Sequence, residues 1–374
     1  MRVVEDWGGW GGRIEYPREV AYCNMPMLVR VTQAEEYVGA AVSIVVNGET
    51  YAETREVRDG ACVFDIARYA QMAFVGKSLE YALVDYQDKA QTAPTSQEVG
   101  IVVRMTRLDG ISEGWVTDSI CVVYGRLDIG QASGGYRKRR WFVNLPQTFD
   151  FLSSADTDIY LKIDEEEQSI SKRETYNLNG QVYVNLSPHT IGVATGESRK
   201  AFLRAEYVPV VDGNLCYPSQ NIYELAIDRC TSGVYLRWLD SQGQWCYYLF
   251  RVVGQTYNTS VAQEWVDGIV RNELTPERDV YLASGQQHQR MSEVETISLG
   301  AKLVDAETFD YLLSLTSASL VDVMVNKDAY VAGLTEDTRW ERVQVVAGSY
   351  ARTAATLQDF VVSIKRRAQK GQML

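Results

Sequence analysis

The sequence predicts a mainly β protein: two tandem β-sandwiches followed by an α+β module. Three observations carry this. Short runs rich in β-branched and aromatic residues recur between turn residues, as in AAVSIVVNGETY (40–51), GIVVRMTR (100–107) and DIYLKID (158–164). Several of these runs return after 120 residues: Asn24-Met-Pro as Asn144-Leu-Pro, and DGACVFDIARY from Asp59 as NGQVYVNLSPH from Asn179. The clearest helical period, DAETFDYLLSL (305–315), falls in the last third.

The first sandwich is placed at 1–112. Its run at 40–51 is broken by Asn47-Gly48, the strongest short hairpin signal. GACVFDI then leads into a short turn of helix around Ala67 to Met72. The second sandwich is placed at 113–230 and repeats the first, with strands at 158–164, 181–187 and 221–227. A third pairing, SLEYALVDY (78–86) with RKAFLRAEY (199–207), extends the repeat with one residue inserted.

The module at 231–374 opens with VYLRWLD and QWCYYLF, joined by the polar turn Asp240-Ser-Gln-Gly243. Both alternating sets of this hairpin are largely apolar, with Val234, Leu236 and Trp238 on one face and Tyr235 and Leu239 on the other. A strand facing water on one side shows polar alternation, so this ribbon is covered on both sides, by another domain or by another subunit. In DAETFDYLLSL, Asp305 is the expected N-cap, and Phe309, Leu312 and Leu313 form an apolar stripe. SLVDVMV (319–325), RWERVQVVAG (339–348) and LQDFVVSIKRR (357–367) read as further strands.

Composition narrows the function classes. The 374 residues are 46% hydrophobic and 23% charged, as in globular chains, with 23 Tyr against 9 Phe. A net charge of −12 argues against nucleic-acid binding, which needs surplus Lys and Arg. No apolar run reaches the length of a membrane span, and the N-terminus lacks the apolar core of a secretory signal. The six cysteines form no C-x-x-C pair, so reduced and buried thiols are expected.

Catalytic and metal signatures are weak. The two histidines, His189 and His288, lie in loop-like stretches and are too few for a His-based metal cluster. The acidic run Asp164-Glu-Glu-Glu167 fits no calcium-loop spacing and reads as a solvated hairpin tip. No phosphate-binding loop is present, so neither an enzyme nor a cofactor is expected.

Three other segments read as contact elements. WGGWGG (7–12) places Trp7 and Trp10 on a glycine-rich arm that packs on its own sandwich or lies across a neighbour. GQASGGYRKRRW (130–141) reads as a mobile loop whose Arg137, Arg139 and Arg140 are solvated or dock an acidic neighbour. The basic tail at 365–372, with Arg366 and Arg367, reads as a docking patch. In the hairpin, Tyr235, Arg237, Trp238, Trp245 and Tyr247 are the residues expected at an interface or an interdomain core.

The order of the hairpin, the helix with Tyr311-Leu-Leu-Ser-Leu, the strand Val321-Asp-Val-Met-Val, a Trp340 strand and a final long strand resembles tail or baseplate structural proteins of phages and prophages of Bacteroidales-type bacteria. The resemblance spans roughly residues 225–367 and is one of pattern. It implies a virion structural protein without cofactor, assembled in the bacterial cytoplasm from copies of itself and other virion proteins. The alternative is a carbohydrate-binding module at a phage tip or bacterial surface, contacting host glycan through its tryptophans.

Overall fold

The computed structural model describes residues 2–5, 12–17, 20–74, 90–92, 96–126, 135–153, 157–163, 166–172, 180–186, 200–207, 221–263, 290–366 and 369–370. Strands dominate it. The first ten are β1 (Arg2–Glu5), β2 (Arg13–Tyr16), β3 (Val20–Tyr22), β4 (Leu28–Thr32), β5 (Tyr37–Val46), β6 (Glu49–Glu56), β7 (Cys62–Asp65), β8 (Ala90–Thr92), β9 (Ser96–Arg107) and β10 (Ser112–Val123). One sheet runs β1-β2-β4-β7 and the other β3-β10-β9-β5-β6. Period-2 alternation in β5 and β9 turns Val42, Ile44, Ile101 and Val103 inward, where they meet Ile14, Val29 and Phe64 from the other sheet. Asn47 and Gly48 take left-handed φ of 52° and 84°, the two-residue turn their pairing requires between β5 and β6. The helical turn expected near Ala67 is present as Ala67–Gln71.

The second group is β11 (Gly135–Phe142), β12 (Gln147–Ser153), β13 (Thr157–Ile163), β14 (Glu166–Lys172), β15 (Gly180–Leu186), β16 (Lys200–Tyr207) and β17 (Asn221–Asp228). Its larger sheet runs β11-β17-β16-β13-β14, the same plan as β3-β10-β9-β5-β6. In each sheet the first strand pairs parallel with the last, β3 with β10 and β11 with β17. β12 pairs β15 as β4 pairs β7. This is the plan of an immunoglobulin-type sandwich, repeated. The 120-residue spacing reappears in atomic detail. Met25 N–H donates to the Tyr22 carbonyl, and Leu145 N–H to the Phe142 carbonyl, closing two equivalent turns.

Two sequence readings need correction here. β10 begins at Ser112 yet belongs to the first sandwich, so the boundary drawn at 112/113 falls inside that unit; the sheets change between Val123 and Gly135. Residues 78–86, which the sequence aligns with 199–207, lie outside the described residues; in the second unit β16 holds the place that β9 holds in the first sheet. β8, from the first unit's stretch of chain, pairs with β15 and extends the second unit's smaller sheet. Backbone hydrogen bonding to a free edge, which side-chain pattern does not encode, decides that placement.

The third group comprises β18 (Val234–Leu239), β19 (Trp245–Gln263), β20 (Arg290–Val304), β21 (Val321–Met324), β22 (Trp340–Arg342), β23 (Gln344–Val345) and β24 (Gln358–Lys365). They form one sheet in the order β22-β21-β18-β19-β20-β24-β23. The helix Ala306–Leu313 lies against it with Phe309 and Leu312 buried. Asp305 caps it, its Oδ1 accepting from Thr308 N–H at 2.8 Å. That hydrogen bond holds the Asp305 carboxyl below its usual range. Replacing Asp305 by Ala is expected to cost about 1 kcal/mol. Since the folded pKa is depressed, this stabilisation is present above the unfolded carboxylate range and fades as pH falls through the folded value. Thermal melts of Asp305→Ala and the parent across acidic pH should converge at the acid end.

No helix among the described residues is long and apolar enough to cross a membrane. None of the described cysteines is in a disulfide: Cys23, Cys121 and Cys246 are buried as expected, Cys62 is half-buried, and Cys230 is exposed, against expectation.

Candidate functional site

The aromatic hairpin β18–β19 is where all three units meet. Its sequence leaves no polar face, and the fold covers both. On the odd-numbered face, Tyr235 stacks on Tyr247 at 6.0 Å and packs against Trp340 at 5.9 Å. From the second sandwich, the Pro146 carbonyl accepts from Tyr235 Oη at 2.9 Å, and Thr148 Oγ1 hydrogen-bonds Tyr247 Oη at 2.8 Å. On the even-numbered face, Trp238 tilts against Tyr311 at 5.3 Å and donates from Nε1 to Ser314 Oγ at 2.8 Å. Phe250 and Phe309 both meet Phe360. Burial drives the Tyr235 and Tyr311 phenols well above their ordinary range, so both stay protonated donors.

A charged cluster sits inside this apolar packing. Arg237 Nε donates to Asp322 Oδ2 at 3.0 Å, and Arg342 Nε to Asp322 Oδ1 at 2.5 Å. The Arg237 guanidinium lies between the rings of Trp245 and Trp340, at 4.7 and 4.3 Å. Side-chain exposure is only 5% for Arg237 and 4% for Asp322, so each charge depends on the other.

The hairpin tip, Asp240 to Gln244, wedges between the sandwiches. Asp240 Oδ1 accepts from Gln242 N–H and Gln244 N–H, both at 2.9 Å, fixing the turn. Burial raises the Asp240 carboxyl pKa, with those two donors and Arg137 opposing it. Arg137 Nη2 donates to Gln242 Oε1 at 2.7 Å, and its Nη1 to Gln244 Oε1. From the first sandwich, Arg126 N–H donates to the Ser241 carbonyl at 2.6 Å. A Cβ on Gly125 would lie 2.7 Å from the Gln242 carbonyl carbon, and one on Gly243 would overlap the Tyr124 carbonyl oxygen. Both glycines have positive φ, 152° and 73°. The two backbones therefore approach as closely as glycine permits. Tyr22, buried at the same place, has its phenol pushed up to about 12.

Several expected contact residues thus have a different place. Tyr235, Arg237, Trp238, Trp245 and Tyr247 are each no more than 4% exposed within the single chain. Of the two covers left open for them, the interdomain one holds; assigning them to a surface between copies is corrected, because the second sandwich and the rest of the third unit already enclose them. The stretch bearing Arg137, Arg139 and Arg140 is not a mobile loop from Gly135 onward but strand β11, paired along its length with β17. Arg139 lies over the Tyr311 ring at 4.1 Å, and Arg140 pairs with Asp228 at 3.3 Å. Arg137 and Arg139 thus dock the second unit to the third, while the Arg140 pair lies within the second unit. Arg366 is likewise engaged within the chain, by Glu295 and Glu341 at 3.4 and 2.7 Å. Trp7, Trp10, Arg367, His189, His288, Asp164 and Glu165 lie outside the described residues. Glu167 pairs with Arg204 at 2.9 Å. Sequence reasoning missed Asp322, Thr148, Gln242 and Gln244; polar residues inside apolar runs, such as Asp322 in SLVDVMV, were the available signal.

The cleft lined by Arg139, Thr148, Tyr223, Cys246, Tyr247 and Tyr311 has room for about one water molecule. Among the described residues no group of three or more His, Cys, Asp or Glu is arranged to hold a metal ion. The geometry is that of a lock between units. The hydrogen bond from Thr148 to Tyr247 is one of its bolts. Thr148→Val and Tyr247→Phe, alone and combined, should show a coupling of about 1 kcal/mol in a double-mutant cycle by denaturant unfolding.

No family model matches the chain, and no curated protein matches it. Among solved structures, it is similar to a protein of unknown function from Porphyromonas gingivalis, at 9% identity, over 57% of this chain and 96% of that one, with a TM-score of 0.15. It is also similar to a structure of three immunoglobulin domains of titin, at 9% identity, over 77% and 93% of the two chains, with a TM-score of 0.15. At TM-scores this low, neither likeness bears on function.

Proposed function

We propose that this chain is a structural protein that assembles with copies of itself, of the phage tail, tail-tip or baseplate kind that its third unit resembles. One observation carries the reading: the richest aromatic ribbon in the chain holds three β units around one junction. Tyr235, Trp238 and Tyr247, the cation–π sandwich of Arg237, and the glycine-to-backbone contacts at Gly125 and Gly243 all act there. Rigid coupling of domains suits a building block that must present surfaces at a fixed spacing. On this reading the chain carries out no reaction and needs no cofactor. Its partners are copies of itself and other virion proteins, and it is assembled in the bacterial cytoplasm into the virion.

The glycan-binding alternative draws less support. A sugar platform needs tryptophan open to solvent, and Trp238 and Trp245, its best candidates in the sequence, are buried. Light scattering of the purified chain over a concentration series, with a glycan-retention assay beside it, tests the choice. Self-association without glycan retention is expected. A monomer at every concentration that is retained by glycan would replace the assembly reading with the alternative.

A further inference from the structure

The junction covers the β3 side of the outward face of the sheet β3-β10-β9-β5-β6, at Tyr22, Cys121 and Val123, and leaves unused the part around β9 and β5. Alternation points Glu98, Gly100, Val102, Arg104 and Thr106 of β9 away from the core. The register sets Gly100 beside Val45 and Ser119, Val102 beside Ser43 and Thr117, and Arg104 beside Ala41 and Gly114. Apart from Glu98 and Arg104, the positions around this central strand are small or apolar. Neither of those two has an ion-pair partner among the described residues. The equivalent face of the second sandwich is dressed differently. There Lys200 pairs with Glu224 at 2.8 Å and Arg204 with Glu167 at 2.9 Å. Two units of one plan thus treat the same face in opposite ways. One neutralises its charges internally; the other keeps a flat surface with one isolated acid and one isolated base.

We propose that this face of the first sandwich pairs with the same face of a second copy of the chain, with reciprocal Glu98–Arg104 ion pairs across a two-fold axis. The proposal rests on the self-assembly reading above and names its surface. Glu98 and Arg104 each stand three residues from Ile101 on one strand, about 10 Å to either side. Consider a two-fold axis lying between the facing sheets and crossing β9 at right angles at Ile101. It places Glu98 of each copy opposite Arg104 of the other, twice over. The same operation lays Val102 against Gly100 and Val45 against Ser43. Each larger side chain meets a smaller one, which is how two sheets interdigitate at the usual spacing of about 10 Å. An isologous contact has to be self-complementary in this sense, in charge and in shape together.

Charge reversal tests it. Glu98→Arg and Arg104→Glu are made singly and together, and self-association is followed by sedimentation velocity over a concentration series. Both side chains are exposed, and unchanged circular dichroism and melting temperature check the fold of each variant. Each single reversal sets like charges together twice and is expected to weaken association about tenfold or more. The double reversal restores opposite charges and should return it to the parent level. If the parent associates but the single variants match it, or the double variant is not rescued, this face is the wrong one while the assembly reading stands. If the parent stays monomeric at all concentrations, both are overturned.

Discussion

Replacing Asp322 by Ala is expected to destabilise the chain by about 3–5 kcal/mol, more than any other single substitution at the junction. The reason is electrostatic. Arg237 is held at 5% side-chain exposure between two indole rings, and Asp322 is its buried counter-charge, which also receives Arg342 at 2.5 Å. Truncation removes the Asp322 carboxylate and leaves the desolvated guanidinium without that buried counter-charge. The rings of Trp245 and Trp340 soften this by cation–π attraction, but each such contact is worth only about 0.5–2 kcal/mol. Removing both charges is a different experiment. Arg237→Met combined with Asp322→Leu takes away the desolvation cost along with the attraction and should recover most of the loss. Denaturant unfolding of the three variants reads this out. A loss under about 1 kcal/mol for Asp322→Ala would show that the cluster is hydrated in solution, contrary to the burial described.

The second large effect is expected at Gly243. Alanine there meets two penalties: a left-handed φ of 73° and overlap with the Tyr124 carbonyl oxygen of the first sandwich. Together these amount to about 2–5 kcal/mol. Gly48 provides the control. Its φ is also left-handed, at 84°, yet a Cβ there meets nothing within 4 Å. Gly48→Ala should therefore carry the conformational penalty alone, about 1–2 kcal/mol. The difference between the two variants isolates the contact between the hairpin tip and the first sandwich. Gly243→Ala should also raise the rate of limited proteolysis between Tyr124 and Gly135, because the first sandwich is then released from the tip. Equal losses at the two glycines, with unchanged cleavage, would mean that the tip does not lock the units.

Much of the architecture was legible in the residues. Period-2 alternation, the Asn47-Gly48 turn, the Asp305 cap and the 120-residue recurrence are local signals, and each corresponds to an element of the fold. The candidate site was legible only in part. The hairpin's two apolar faces announced that something covers it, and its aromatic residues do lie at the centre of a contact. Alternation reports that a face is dry but not whose atoms dry it. The same limit explains β11. Its Arg137, Arg139 and Arg140 follow glycines and look like a solvated basic loop. Yet the parallel ladder with β17 and acceptors at Gln242, Gln244 and Asp228, all more than eighty residues away in the chain, make it a strand.

The sequence by itself therefore determined the fold class, the repeat, and the places where side chains had to leave water, because those follow from hydrophobic period and turn chemistry within a few residues. Tertiary structure alone decided that the aromatic ribbon faces this chain's own second sandwich, that β8 completes the neighbouring unit's sheet, and that Asp322 answers Arg237. These are pairings between distant segments, settled by which polar groups find partners and which backbones fit together once the units meet.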